Sequence, residues 1–128
     1  MNKDLYDAGM KTRREVLGNE YVDAALKAAD KDPLPTAMQE YVAQYCWGDI
    51  WNRPGLDHRT RSFLNLAMLT ALNRPHELKL HIRGALNNGL TREEIGEAFL
   101  QAAVYCGVPA ALDSFRVARE TYREVDKT

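Results

Sequence analysis

The chain has 128 residues, of which 45% are hydrophobic and 27% are charged, the proportions of one ordinary globular domain. Its formal net charge of −1 provides neither a basic field for nucleic acid nor a polybasic membrane patch. The sequence has no apolar run of about 18 residues that would predict a membrane span. Its first residues also lack the apolar region of a secretory signal. We therefore expect a cytoplasmic protein.

The spacing of the cysteines and histidines is not that of metal ligands. Cys46 and Cys106 lie far apart and form no CxxC pair. The three histidines, His58, His76 and His81, do not follow the HExxH pattern of a zinc helix. We expect two reduced thiols and no metal site.

Glycine and proline divide the first half of the chain into three segments of helical length. Apolar residues recur at helical spacing over Asp4–Leu17 and again over Tyr21–Ala29. The prolines of Lys31–Pro35 predict a break, because a residue before proline is disfavoured in a helix. A third helix is predicted over Thr36–Trp51.

The second half begins with a helix that is apolar on nearly every side. Asp57 is its predicted N-cap, and its apolar residues fall within Phe63–Leu72, so we expect it to be central. Asn73 is predicted to cap the next helix, with Pro75 tolerated in the first turn. Gly89 suits the left-handed residue that closes that helix.

Two more helices are predicted at the carboxyl end. Thr91 and Glu94 have the spacing of a capping box, and a stripe of small apolar residues then extends to Cys106. Gly107–Pro109 ends this helix, and Ala110–Val125 is amphipathic. We therefore predict an all-α fold, a compact bundle of about six to seven helices that forms a single domain over residues 1–128.

Both tryptophans of the chain lie in the short segment Trp47–Gly55, just before an arginine and a turn. Aromatic rings beside Arg53 suit a small planar anion, because arginine holds a carboxylate with two hydrogen bonds. The alternative is a packed helix end in which Trp47 and Trp51 are core or interface anchors.

A second candidate motif is Arg74–His81. Glu77 and His81 are four residues apart and meet on one helix face, where a carboxylate can orient an imidazole for proton transfer. Arg74 lies one turn before Glu77. The alternative is a surface salt-bridge ladder. His58 and His76 are expected to be exposed.

Five segments resemble the carboxymuconolactone decarboxylase family, in the order that the family has them. They are YDAGMKTRREVLG at 6–18, WGDIWNRPGL at 47–56, TRS at 60–62, AMLTALNRPHELKLHIRGALNNGLTREEI at 67–95 and YCGVPAA at 105–111. The resemblance covers nearly the whole chain and favours the branch that decarboxylates gamma-carboxymuconolactone.

The resemblance implies the all-helical fold of alkyl hydroperoxidase D-like proteins and a homo-oligomer, typically a hexamer. It implies a carboxy-lyase that removes carbon dioxide from gamma-carboxymuconolactone, a small dicarboxylate lactone, in protocatechuate catabolism. The product would be the beta-ketoadipate enol-lactone. No cofactor is expected, because the double bond and carbonyl of the lactone accept the electrons that the departing carboxylate releases.

We assign roles to the charged and aromatic residues as a hypothesis for this reaction. His81 delivers the proton or stabilises the oxyanion, and Glu77 orients it. The substrate carboxylates are bound by arginines, and the tryptophans exclude water. The residues assigned to binding are Arg74, Arg53, Arg61, Trp47, Trp51 and the pocket-lining Cys106, with Arg59 also near the motifs.

Two other functions remain open. Thiol-dependent peroxidases of the same superfamily carry CxxC, three further residues and then a histidine; when His81 is aligned with that histidine, Arg74 and Glu77 stand at the two cysteine positions. A peroxidase would have to use Cys106 without a resolving partner. The other alternative is a noncatalytic member of the family that binds a small acid.

Overall fold

The computed structural model describes residues 1–127, and within them the chain forms seven α-helices and one π-helical segment. The elements are α1 (Lys3–Leu17), α2 (Asn19–Ala29), α3 (Pro33–Tyr41), the π segment (Val42–Ile50), α4 (His58–Ala71), α5 (Pro75–Asn87), α6 (Arg92–Cys106) and α7 (Val108–Asp126). The predicted all-α class is confirmed. Within this part of the chain, no helix is both long and apolar enough to cross a membrane.

The chain divides into two compact units, Met1–Asp57 and a second that begins at His58. The first contains α1 to α3 and the π segment, and the second contains α4 to α7. The prediction of a single domain stays a prediction.

The first unit is built around the contact of α1 with the π segment, and two glycines make that contact possible. A Cβ on Gly9 would lie 1.7 Å from the carbonyl oxygen of Ala43, and one on Gly48 would lie 2.4 Å from that of Leu5. The two backbones therefore touch directly. Val16 closes a small core beside them.

The third helix predicted from the sequence is really two elements. It begins at Pro33 rather than Thr36, because the first turn of a helix tolerates proline, which has no N–H to donate. At Val42 it widens to π geometry, and the N–H of Trp51 donates to the carbonyl of Cys46, five residues earlier, at 2.9 Å. The periodicity of apolar residues did not predict this change, and π segments are often found at functional sites.

The second unit has one apolar core, to which all four of its helices contribute. The rings of Phe99 and Phe115 meet edge to face with centroids 5.4 Å apart, and thereby join α6 to α7. The other fully buried side chains of this core include Leu66, Leu78, Ile82 and Ile95.

The helix ends of the second unit confirm two predictions and correct one. Thr91 and Glu94 form the capping box, and Gly89 has a φ of 90° directly after α5. Asn73 does not cap α5. It has a φ of 55° and closes α4, a left-handed conformation that asparagine tolerates, and Arg74 is the N-cap of α5.

The prediction that α4 is central was wrong for one of its sides. Its buried residues are Ser62, Leu66 and Thr70, whereas three large apolar residues, two on this helix and one directly after it, are 45–60% exposed. These are Leu64, Met68 and Leu72, spaced at four residues. Apolar residues all round a helix indicate that every side is covered, and the chain itself covers only part of α4.

The remaining helix bounds agree with the prediction to within two residues. The two-residue differences are at α2, which begins at Asn19 rather than Tyr21, and at α7, which begins at Val108 rather than Ala110 because Pro109 fits its first turn.

The glycine contact predicts a stability difference between two similar substitutions. Gly9→Ala places a methyl group on the backbone of the π segment and is expected to lower the free energy of unfolding by about 3 kcal/mol or more. Gly55→Ala is the control, because a Cβ there meets nothing within 4 Å. Chemical denaturation of both variants would measure the difference, and equal stability would contradict the direct backbone contact.

Candidate active site

Helix α5 carries three of the residues assigned to the site. Arg74 is its N-cap, Pro75 is its first residue, and the exposed Glu77 lies in its first turn. A carboxylate is favoured there by the partial positive charge of the helix N-terminus. His81 follows one turn after Glu77 and is partly buried. The structure therefore places the pair on one face, as predicted.

His81 has a strongly shifted acidity. Burial lowers its pKa from 6.5 to about 4, and the negative charge of Glu77 raises it by less. With such a pKa, about one imidazole in a thousand is protonated at pH 7. The ring is therefore neutral under ordinary conditions.

The ring of His81 contacts a residue that the sequence motifs did not single out. Asn65 of α4 lies with its Nδ2 3.3 Å from Nδ1 of His81. Asn65 and Thr70 are the polar residues in the otherwise apolar run Phe63–Leu72. A lone amide in such a run is the sequence signal that could have identified it. Glu77 acts on the ring through its charge, whereas Asn65 contacts the ring itself.

The arginines of the second unit have different surroundings. Arg61 is partly buried on α4, one turn before Asn65 and on the same face. Arg59 binds Glu94 at 2.6 Å and also donates to the carbonyl of Gly89, so it holds α4 to α6 rather than serving a ligand.

Arg74 is exposed, and its Nη1 donates to the carbonyl of Leu72 at 3.3 Å. It lies at the rim of a cavity of about 420 Å³ between α4, α5 and α7, together with Asp113 and Arg116. The lining of this cavity does not include His81. The structure thus brings Glu77, Asn65 and His81 together. Arg74 lies instead beside Asp113 and Arg116 at this cavity.

Cys106 is exposed at the end of α6 and lines a cavity of about 320 Å³ between α4 and α6. Phe63 and Tyr105 are among the other residues that line it. The sequence predicted that Cys106 lines the substrate pocket, and the lining of this cavity does not include His81. Whether a substrate binds there stays a prediction.

In the first unit, the two tryptophan rings are stacked with centroids 4.8 Å apart and an interplanar angle of 28°. Trp47 and Trp51 are only 3% and 4% exposed and pack with Val16. They are core anchors of this unit, the alternative reading of the motif. Their role in excluding water from a substrate, and that of the exposed Arg53 in binding it, stay predictions.

The sequence motifs also missed a buried arginine. Arg13 is 4% exposed, and its Nη1 donates to Oε1 of Gln39 at 2.8 Å. Its positive charge lowers the pKa of Cys46, but burial raises that pKa by more. The Cys46 thiol is therefore a poor source of thiolate.

Two expectations about the other histidines had different outcomes. His76 is exposed, as predicted, but His58 is partly buried. The backbone carbonyl of His58 lies 3.5 Å from Nδ2 of Asn88, because the start of α4 packs beside the end of α5. Among residues 1–127, no three His, Cys, Asp or Glu side chains are grouped as a metal would require.

The shifted pKa predicts a pH dependence that NMR can measure. Titration of the His81 ring protons is expected to show a midpoint near pH 4. The unfolded chain binds this proton near pH 6.5, so stability is full above that pH and falls by about 3 kcal/mol as the pH drops to 4. A midpoint near 6.5 for His81 would contradict its burial.

Known proteins resemble this chain over most of its length. Residues 36–120 match the Carboxymuconolactone decarboxylase family. Nitrosuccinic acid decarboxylase npaB from Metarhizium robertsii is 44% identical over 128 residues, 99% of this chain and 88% of that protein. The 4-carboxymuconolactone decarboxylase of Acinetobacter baylyi is 35% identical over 124 residues, 97% of this chain and 91% of that protein. An uncharacterized 15.0 kDa protein of Paracoccus denitrificans is 36% identical over 97 residues, 73% and 71% of the two chains. This chain belongs to the carboxymuconolactone decarboxylase family.

Proposed function

We propose that this chain is a cofactor-free carboxy-lyase that acts on a small dicarboxylic acid. The proposal is supported by two relatives that are decarboxylases by name and match it over nearly their whole length. Their named substrates differ, so the family relationship supports the type of reaction more strongly than any one substrate. The candidates for this chain are gamma-carboxymuconolactone and nitrosuccinic acid.

The two candidate substrates share one chemical property. Each has two carboxylates. The carboxylate that leaves is attached to a carbon next to an electron-accepting group, which is the double bond conjugated with the carbonyl in the lactone and the nitro group in nitrosuccinic acid. In the lactone, the electron pair of the broken C–C bond moves through the double bond to the carbonyl oxygen. In nitrosuccinic acid it moves to a nitro oxygen. Carbon dioxide leaves, and a proton is then added to carbon. Neither route needs an external electron sink.

The observation that carries the proposal is the neutral, partly buried ring of His81 beside Asn65. Both routes place negative charge on an oxygen in the transition state, and a preorganised N–H donor stabilises such charge by about 3 kcal/mol. A neutral imidazole is a weak acid. Of the two roles predicted for His81, oxyanion stabilisation is therefore favoured over direct proton delivery.

The carboxylate that stays on the product requires a cation that binds it. That cation should not bind the departing carboxylate tightly, because stabilising the ground state would slow the reaction. Arg61 is the strongest candidate, because it lies one turn from Asn65 on the same face of α4. Arg74 and Arg53 stay candidates from the sequence. For gamma-carboxymuconolactone, the product would be the beta-ketoadipate enol-lactone of protocatechuate catabolism.

The thiol-dependent alternative has weaker support. Arg74 and Glu77 occupy the positions of the paired thiols, and burial raises the pKa of Cys46. Peroxide consumption that vanishes in Cys106→Ser would favour it. Ligand binding that quenches tryptophan fluorescence without release of carbon dioxide would favour the noncatalytic alternative.

Substitution of His81 tests the proposed activity. Purified protein would be supplied with each of the two acids, and release of carbon dioxide would be measured. With the substrate that is turned over, His81→Ala is expected to lower kcat/KM by about 100-fold, the usual cost of one lost oxyanion donor.

His76→Ala is the matched control, because His76 is an exposed histidine on the same helix, and it is expected to leave kcat/KM within twofold. Turnover of neither acid by the wild type would contradict the proposed function. A threefold or smaller effect of His81→Ala would contradict the role of His81.

Self-association, predicted as a homohexamer, is also proposed. It is supported by apolar side chains on three helices that the chain leaves exposed, namely Leu64 and Met68 on α4 with Leu72 directly after it, Leu100 and Val104 on α6, and Val108 and Leu112 on α7. Such residues spaced at four form continuous faces, and burying them in a second copy would be favourable.

Val104→Glu tests this proposal with little risk to the fold, because Val104 is 82% exposed. Light scattering after gel filtration is expected to show a smaller assembly than the wild type. Arg119→Glu introduces the same side chain at an exposed polar position of α7 and is expected to leave the assembly unchanged. An unchanged mass for Val104→Glu would contradict association through this face.

A further inference from the structure

The amide of Asn65 is placed to determine which ring nitrogen of His81 carries the proton. It is partly buried on α4, and its Nδ2 faces Nδ1 of His81 on α5 at 3.3 Å. The other polar residue of the run Phe63–Leu72 has a structural task, since the hydroxyl of Thr70 donates to the carbonyl of Leu66 at 2.8 Å. Asn65, by contrast, contacts the side chain of His81 and not the backbone of its own helix.

The chemistry of the two groups decides the direction of this contact. An amide nitrogen carries two hydrogens and only donates, so Nδ1 of His81 accepts. A neutral imidazole has one donor and one acceptor nitrogen, and its single proton is then on Nε2. Burial keeps the ring neutral, and a neutral ring in a fixed tautomer is a preorganised N–H donor.

Glu77 alone would not produce this arrangement. A carboxylate only accepts hydrogen bonds, so a carboxylate on Nδ1 would place the proton on Nδ1. It would also raise the pKa of the ring, as the charge of Glu77 does in part. The amide of Asn65 therefore has the opposite effect on the ring from that of a carboxylate at Nδ1.

We propose that Asn65 is a positioning residue that holds His81 as the Nε2–H tautomer, so that His81 donates a hydrogen bond to the oxyanion of the substrate. The proposal rests on the proposed decarboxylase function. Asn65 acts through His81 and is not itself a catalytic residue.

Two substitutions of Asn65 separate its hydrogen bond from its volume. Asn65→Leu keeps the approximate size and removes the donor. Asn65→Asp keeps the shape and replaces the donor by an acceptor, which should move the proton to Nδ1 and raise the pKa of His81. The control Asn87→Asp makes the same amide-to-carboxylate change on α5, six residues after His81 and on a different side of the helix.

The first readout is the ¹⁵N NMR spectrum of the His81 ring at neutral pH, which distinguishes protonated from unprotonated nitrogen and needs no substrate. The wild type and Asn87→Asp are expected to show the Nε2–H tautomer, and Asn65→Asp is expected to show a protonated Nδ1. A protonated Nδ1 in the neutral ring of the wild type would overturn the proposal, even if neither Asn65 variant folded.

The second readout is kinetic. Asn65→Asp and Asn65→Leu are expected to lower kcat by about tenfold or more with KM changed less than threefold, because only the transition state carries the full oxyanion. Wild-type kcat in either folded variant would overturn the proposal. Inactive wild type with the Nε2–H tautomer present would count against the decarboxylase function and leave the tautomer assignment standing, so the two failures are distinguishable.

Discussion

The candidate site depends on the desolvation of one imidazole, that of His81. Burial disfavours the charged form of His81, and the nearby carboxylate of Glu77 favours it. The pKa falls to about 4, so desolvation outweighs the attraction. The ring is consequently an uncharged hydrogen-bond donor and acceptor. This property suits a reaction in which charge appears on a substrate oxygen and disappears again.

The helix that carries this ring is anchored by its contacts with neighbouring elements. On α5, Leu78 and Ile82 are fully buried beside His81 and anchor the helix in the core. Lys79 and Arg83 both bind Glu124 of α7, at 2.5 and 2.9 Å. Such half-exposed ion pairs stabilise a protein by less than about 1 kcal/mol each. Burial of the apolar side chains therefore contributes more to the position of α5 than the ion pairs do.

Helix positions and types were largely predictable from the sequence, because apolar periodicity, glycine and proline act locally. The capping box at Thr91 and the left-handed Gly89 are examples. The π segment was not predictable from apolar periodicity, and neither was its contact with α1, which brings together Gly9 and Gly48, residues distant in sequence. The exposed side of α4 was missed because an apolar pattern does not show what covers it.

The candidate site was predicted only in part, because sequence patterns show contacts within one helix but not contacts between helices. The pair Glu77 and His81 follows from helical spacing within α5. Asn65 belongs to another helix, and only the packing of α4 on α5 brings it to the imidazole. The sequence also could not show that Arg59 is committed to Glu94, or that Arg13 is buried. In each case, the surroundings of the residue depend on contact with another helix, which the sequence does not show.

The pH dependence of decarboxylation tests the central claim most directly. If a neutral His81 stabilises the oxyanion, kcat/KM for the substrate that is turned over should be constant from about pH 5.5 to 8, because the ring stays neutral throughout. If the reaction needed the imidazolium as its acid, kcat/KM would fall about tenfold for each pH unit over the same range. A flat profile would support the account, and that steady decline would contradict it.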